Sequence, residues 1–241
     1  MLPADAPPNP WFSWDYVERN WTDVERALSQ HVTLTVQAVV LAIVVALPLA
    51  ALAHLWPRLA GPVVGVAGVL YTVPSLALFA LLAPYTGIGR ATVLVGLVVY
   101  ALLVLVRNVL VGLQGVDPAV VDAARGLGYG RLRMLVQVEL PQAVPSIVAG
   151  VRLATVTTVA LVTVGVVVGY GGLGQLMFRG FRSHYHAEIM TATVLCLVLA
   201  LVADLVVLLA GRLLTPWSRP RRRTTGPRRA RPTRAEVSWT S

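Results

Sequence analysis

Asp117-Pro118-Ala119-Val120-Val121-Asp122-Ala123-Ala124-Arg125-Gly126-Leu127-Gly128, running on to Val138-Glu139-Leu140-Pro141, is a polar island in an oily chain. Asp117 can accept hydrogen bonds from the first free N–H groups of a helix, and Pro118 suits the first helical position. Residues 119–127 then make about two and a half turns. Gly126 and Gly128 offer the positive φ that ends a helix. A second amphipathic helix is predicted next, with Leu132, Leu135, Val136 and Val138 alternating with Arg131, Arg133, Gln137 and Glu139. Leu140-Pro141 is expected to break that run. A short helix between glycines pivots as a unit. Ala123 and Ala124 would let a partner surface approach its backbone, and Asp122 and Arg125 would supply charged hydrogen bonds at the rim.

Outward from this island the chain is apolar. It has 241 residues, 56% hydrophobic and only 13% charged, with mean hydropathy +0.73. A soluble domain carries about 25% charge. The apolar residues also come in blocks near the roughly 20 residues needed to cross a bilayer. The fold class is therefore all-α, a polytopic membrane protein, and a soluble globular core is excluded. Five transmembrane helices are predicted, near 33–55, 62–83, 91–113, 145–168 and 187–213, so the membrane domain is 33–213 and the island is the loop 117–141 between its third and fourth spans. Met1 to Trp14 lack the basic start and apolar run of a cleaved signal peptide.

Charge sets the expected orientation. Residues 212–241 hold nine arginines and one glutamate, whereas residues 1–32 hold five acids and two arginines. Arginine-rich flanks stay in the cytoplasm. With an odd number of spans the N-terminus is then outside the cell membrane, and the C-terminus and the loop with Asp122 are inside. Arg179 and Arg182 fall on the outer side against the rule. Residues 21–32 read as an amphipathic elbow helix at the outer interface, since Trp21, Val24, Leu28 and Val32 share a face. The Arg/Pro-rich segment 214–241 reads as a disordered, topology-setting tail that touches anionic membrane lipid, with no nucleic acid as partner.

Polar residues inside spans are expensive in lipid. Arg107, Arg152 and Asp204 lie at similar depths from the inner ends of their spans. They are expected, with Asn108, to form an intramembrane polar network in which Asp204 pairs with Arg152 or Arg107. Pro74 and Ser75 permit a kink in the second span. Tyr71 beside them offers a π face to a passing cation, with Tyr100 and Tyr170 as rivals. Of the fourth-span threonines, which can also bond their own helix, Thr155 and Thr158 are placed on the possible path. Gly61, Gly65 and Gly68 read as close helix packing. His184 and His186 near Glu188 are too weak a pattern for a metal site, and Cys196 has no partner cysteine.

The spacing Asp122-Ala123-Ala124, three residues, Gly128, nine residues, Val138, one residue, Leu140-Pro141 resembles the EAA loop of ATP-binding cassette (ABC) importer permeases, with Asp122 and Val138 where that family usually has Glu and Ile. Tyr71-Thr72-Val73-Pro74-Ser75-Leu76-Ala77-Leu78, Leu105-Val106-Arg107-Asn108, Gly150-Val151-Arg152-Leu153-Ala154 and Gly169-Tyr170-Gly171-Gly172-Leu173-Gly174 are similar to the glycine betaine/carnitine/choline (osmoprotectant) permeases. The resemblance implies the type I importer fold and import of a quaternary ammonium solute, with a cytoplasmic coupling helix gripped by a separate ABC ATPase subunit. It also implies a second permease, as homo- or heterodimer, and a separate extracellular solute-binding protein, since a chain of 241 residues is expected to be too short to carry that domain fused. ATP and Mg would belong to the ATPase. This chain has no GxxxxGK[ST] phosphate loop and is expected to bind no cofactor and to be no enzyme. The alternatives are a permease for methionine or a sulfonate, a membrane-integral enzyme, and a secondary transporter.

Overall fold

The structure, a computed structural model, describes residues 9–216. The expected tail beyond 216 lies outside the described residues. Among the described residues every regular element is helical. Four runs are long and apolar enough to cross a membrane, Trp21–Leu55, Arg90–Gln114, Arg131–Val168 and His186–Leu214, and a bent pair, Pro57–Thr72 with Ser75–Thr86, makes a fifth.

A six-residue helix, α1 (Trp14–Arg19), is capped by Ser13, whose hydroxyl accepts from the Tyr16 N–H. The long helix α2 (Trp21–Leu55) has 35 residues, roughly 52 Å at 1.5 Å per residue and well beyond the ~30 Å hydrocarbon layer. The expected separate elbow over 21–32 is not there: that stretch is the first part of α2. No glycine or proline interrupts the chain between Trp21 and Leu47, so nothing ends the helix before the membrane begins. Its C-terminal half buries Ala42, Ala46, Ala50 and Ala53 at helical spacing against Ala101, Leu105, Val109 and Ala154. Small side chains here let backbones approach, and close van der Waals packing replaces the hydrophobic drive that lipid removes.

The second span is not a continuous helix over 62–83. It is α3 (Pro57–Thr72) and α4 (Ser75–Thr86), bent by 101°. Proline has no N–H to donate and disfavours helical geometry in the residue before it. Val73 accordingly takes φ −66°, ψ 126° and the first helix stops. The carbonyl of Val73 is satisfied by the Tyr100 hydroxyl. Beyond the bend α4 turns into the bundle and buries Leu78 and Phe79. Phe79 lies on Gly96 of α5 (Arg90–Gln114), where a Cβ would come within 2.5 Å of the ring. By contrast α3 buries no residue. Gly61, Gly65 and Gly68 have nothing within 4 Å of a built Cβ, so they do not serve close packing within this chain.

After the polar loop helix α6 (Pro118–Gly126) comes a run that does not break at Leu140-Pro141. A four-residue helix, α7 (Arg131–Met134), passes into a π-helical turn, Leu135–Glu139, and then α8 (Leu140–Val164). The wider π turn places Pro141 in the first turn of α8, where its missing N–H costs no helical bond. The buried side of this entry is Met134, Leu135 and Glu139, while Leu132 and Val136 stay exposed.

A 3-10 turn, Gly165–Val168, leads to α9 (Leu173–Ser183), which caps the end opposite the polar loop, and α10 (His186–Leu214) returns along α8. Gly172 holds φ +53°, and a Cβ on it would lie 2.7 Å from the His31 Cβ. Only glycine meets both demands.

Candidate functional site

The polar loop is organised by its caps. Asp117 Oδ1 accepts from the Ala119 N–H at 2.9 Å. At the other end the Tyr129 N–H donates to the Ala124 carbonyl at 3.1 Å, and the Gly128 N–H to Arg125 at 2.9 Å. With Gly128 at φ +81°, this is a Schellman stop. Gly126 stays helical and plays no part in the positive-φ turn. The helix is thus complete in itself and hangs from the bundle by its ends.

One face of α6 is free. Asp122 and Arg125 pair with each other at 3.2 Å, with side chains 72% and 68% exposed. Such a solvated pair is worth between nothing and about 1 kcal/mol, so a better partner displaces it. Leu127 is 77% exposed, and Val120 is exposed too. Ala123 faces outward. Ala124 does not offer a second approach point, because it is buried: the two alanines are about 100° apart on the helix and cannot share a face. Leu140 and Pro141 are half-buried at the root of α8.

Below α6 the loop is tied to the bundle. His54 Nε2 donates to Glu139 Oε2 at 2.9 Å, with side chains 19% and 11% exposed, joining the last turn of α2 to the π turn. The Arg133 guanidinium lies over the Tyr129 ring at 4.3 Å. His54 and Glu139 line a polar cleft of about 280 Å³ with Arg125, Tyr129 and Arg131. No sequence signal marks the His54–Glu139 tie, since 85 residues separate its partners.

Inside the spans only part of the expected network is brought together. Arg152 and Asp204 form a two-pronged pair, Nε to Oδ1 at 2.8 Å and Nη2 to Oδ2 at 2.7 Å. This fork fixes the register of α10 on α8. Arg107 does not join it. It is exposed, and makes no ion pair among the described residues. Asn108 donates to Val104 within its own helix at 2.8 Å, and its carbonyl accepts from Ser146 Oγ at 2.8 Å. The reason is angular: Arg107 and Asn108 stand on α5, whereas the pair lies between α8 and α10.

Tyr71, Pro74, Ser75 and Tyr100 line one cavity of about 430 Å³ at the α3–α4 break, with Thr157, Ala160 and Leu161 of α8. Tyr71 and Tyr100 meet edge to face, centroids 5.9 Å apart at 73°. Thr155 and Thr158 do not line it. Both are buried, Thr155 donating to the Val151 carbonyl at 2.7 Å, because they sit on the packed side of α8. Thr157 has the open side instead. Tyr170 belongs elsewhere, packed against the cluster around Phe79 and Val162.

At the far end a second set of ties centres on a buried histidine. His31 is fully buried; its Nε2 donates to the Val159 carbonyl at 3.0 Å and its Nδ1 accepts from the Leu173 N–H at 3.3 Å. It thereby joins α2, α8 and the start of α9, and sequence offered no hint of it. Arg179, expected on the outer side, pairs with Glu188 at 2.5 Å and Asp23 at 3.2 Å. Burial, with Glu188 nearby, pushes the Tyr16 hydroxyl up to about 12. His186 stacks on Trp11 at 4.2 Å, and its N–H donates to Asn9.

The sequence profile of the family described as binding-protein-dependent transport system inner membrane component matches residues 38–220. The chain belongs to this family. The permease is 37% identical to the carnitine transport permease protein OpuCB of Listeria monocytogenes, over 73% of this chain and 80% of that one. It is 39% identical to the osmoprotectant import permease protein OsmW of Salmonella typhimurium, over 73% and 84%. It is 32% identical to the choline transport system permease protein OpuBB of Bacillus subtilis, over 83% and 93%. Its fold is that of a chain in an inward-facing structure of the MetNI methionine ABC transporter, with TM-score 0.74, 22% identity and coverage of 82% and 99%. The relatives are transport subunits rather than enzymes, and the permease is a membrane component of an ABC importer.

Proposed function

We propose that this permease carries a quaternary ammonium osmoprotectant of the glycine betaine, carnitine or choline type across the cytoplasmic membrane, driven by a separate ATPase. The observation that carries the solute is the relatives: permeases named for carnitine, choline and osmoprotectants align over most of both chains. A chain of a methionine ABC transporter has the same fold, but at 22% identity that likeness speaks for architecture alone. Uptake by the reconstituted transporter, with labelled glycine betaine, carnitine, choline and methionine in turn, tests the choice; methionine uptake without the others would overturn it.

Helix α6 is the coupling helix. It is self-capped, it presents Asp122, Ala123, Arg125 and Leu127 to solvent, and its own salt bridge is cheap to exchange for contacts with the ATPase. ATP and Mg act in that partner. Closure of two ATPase subunits drags α6, and the His54–Glu139 tie passes the motion to α2 and α8. A second permease, the same chain or a sister, completes the path, and an extracellular binding protein delivers the solute. The N-terminus lies outside and the C-terminus in the cytoplasm, which puts α6 inside and the α9 cap outside; nine arginines in residues 212–241 against two in residues 1–32 support this orientation. The Arg152–Asp204 pair holds helix register near the inner gate, and the cavity at Tyr71, Pro74, Ser75 and Tyr100 lies on the path. Gly128→Asp, which forces a side chain into the positive-φ stop, is expected to abolish co-purification of the ATPase and uptake together. Undiminished co-purification would remove the docking role.

A further inference from the structure

The cavity at the α3–α4 break has a chemistry that matches one part of a solute. None of its lining residues is charged, and its polar groups are few: Ser75, Thr72 and Thr157 beside the two tyrosines. Tyr100 stands near the middle of α5 (Arg90–Gln114), so the cavity is deep in the membrane. The Tyr100 ring is fixed in place because its hydroxyl donates to Val73. Tyr71, partly exposed, meets it at 73°, so the two rings make a corner rather than a stack. A volume of about 430 Å³ is within the range of small-molecule sites.

A quaternary ammonium has no N–H, so hydrogen-bond acceptors cannot hold it. Ring faces can, through the negative potential above the π system. A carboxylate in the same place would form an ion pair in low dielectric and trap the cation. A transit site must instead bind weakly enough to release. The exposed ring of Tyr71, held edge to face by the buried Tyr100 and with no acid nearby, meets both conditions.

We propose that the Tyr71–Tyr100 corner is a transient subsite for the quaternary ammonium head of the solute in passage. This rests on the solute class proposed above. The break in the second span then has a purpose: it swings α4 aside and leaves the Tyr71 ring open to the path, while the buried Tyr100 holds the broken end.

The test uses the whole transporter, this chain with its ATPase, second permease and binding protein, in proteoliposomes with labelled glycine betaine and, separately, choline. Tyr71→Phe keeps the ring and is expected to lose less uptake than Tyr71→Leu. Tyr71→Leu is expected to lower maximal uptake of both solutes about tenfold, with the half-saturating concentration of binding protein unchanged. Equal uptake by Leu and wild type, or equal loss in Phe and Leu, overturns the subsite while leaving the importer reading intact. Wild-type vesicles that take up methionine but neither quaternary ammonium overturn both. Should the Leu variant fail to assemble, mono-, di- and trifluorinated phenylalanines at position 71 decide, since they keep shape and drain the π face. Uptake falling stepwise along the series supports the subsite, and a flat series overturns it.

Discussion

The two ends of this permease are built on opposite principles. At the loop end, α6 satisfies its own backbone at both termini and leaves its charged face to water. Beneath it a small number of side-chain ties, chiefly His54 to Glu139, join α2 to the π turn that α6 rests on. At the far end, His31, Gly172 and Leu173 interlock α2, α8 and α9 with no room for change. Arg179, Glu188 and Asp23 close the rim above them. An exposed, exchangeable contact suits an element open to a partner, whereas the buried His31 ties suit one that holds shape.

The comparison breaks first at Gly172. Gly172→Val puts a β-branched residue at positive φ and drives its Cβ into His31, an expected loss of about 3 kcal/mol. Thermal unfolding of the purified transporter reads it; an unchanged midpoint would mean the far end is not rigid. Next comes His54→Ala, which leaves the buried Glu139 carboxylate without its donor. We expect a loss of about 2 kcal/mol, and a larger fractional fall in uptake than in ATP hydrolysis, measured in the same vesicles. Equal falls would show that the tie supports stability but not coupling.

Asp204→Leu alone is expected to lower the melting midpoint, because it strands Arg152 in the membrane, and Arg152→Met added to it should restore most of the loss. A double variant as unstable as the single one would make the pair more than a register device. The smallest effect on folding is Asp122→Ala. Its pair is solvated, so the midpoint should not move, yet ATPase co-purification should fall. A shifted midpoint with full co-purification would reverse the assignment of α6 as the exchangeable end.

The loop helix is legible from residue types alone, because caps are local: Asp117, Pro118 and Gly128 each act on backbone groups within a few residues. The π turn at Leu135–Glu139 is not, since no side chain announces a wider helical turn. Pro74 announces a break, but not that it would reach 101°, which depends on Phe79 finding Gly96 and on Tyr100 catching Val73. Arg152 and Asp204 are visible as intramembrane charges, and comparable depth makes their pairing reasonable. Arg107 has a similar depth and stays apart, because depth follows from counting residues while azimuth depends on how each helix is turned by its neighbours.

From the sequence alone came the membrane class, the number of apolar blocks, the charge asymmetry and the capped helix between the third and fourth spans. All of these rest on composition, length or contacts within a few residues. The tertiary structure alone decided the continuity of α2, the fold-back of α4, the choice of Arg152 over Arg107 for Asp204, and the two histidine ties. Those depend on which helix faces meet, and faces are set by close packing summed over the whole bundle, a quantity no short stretch of chain contains.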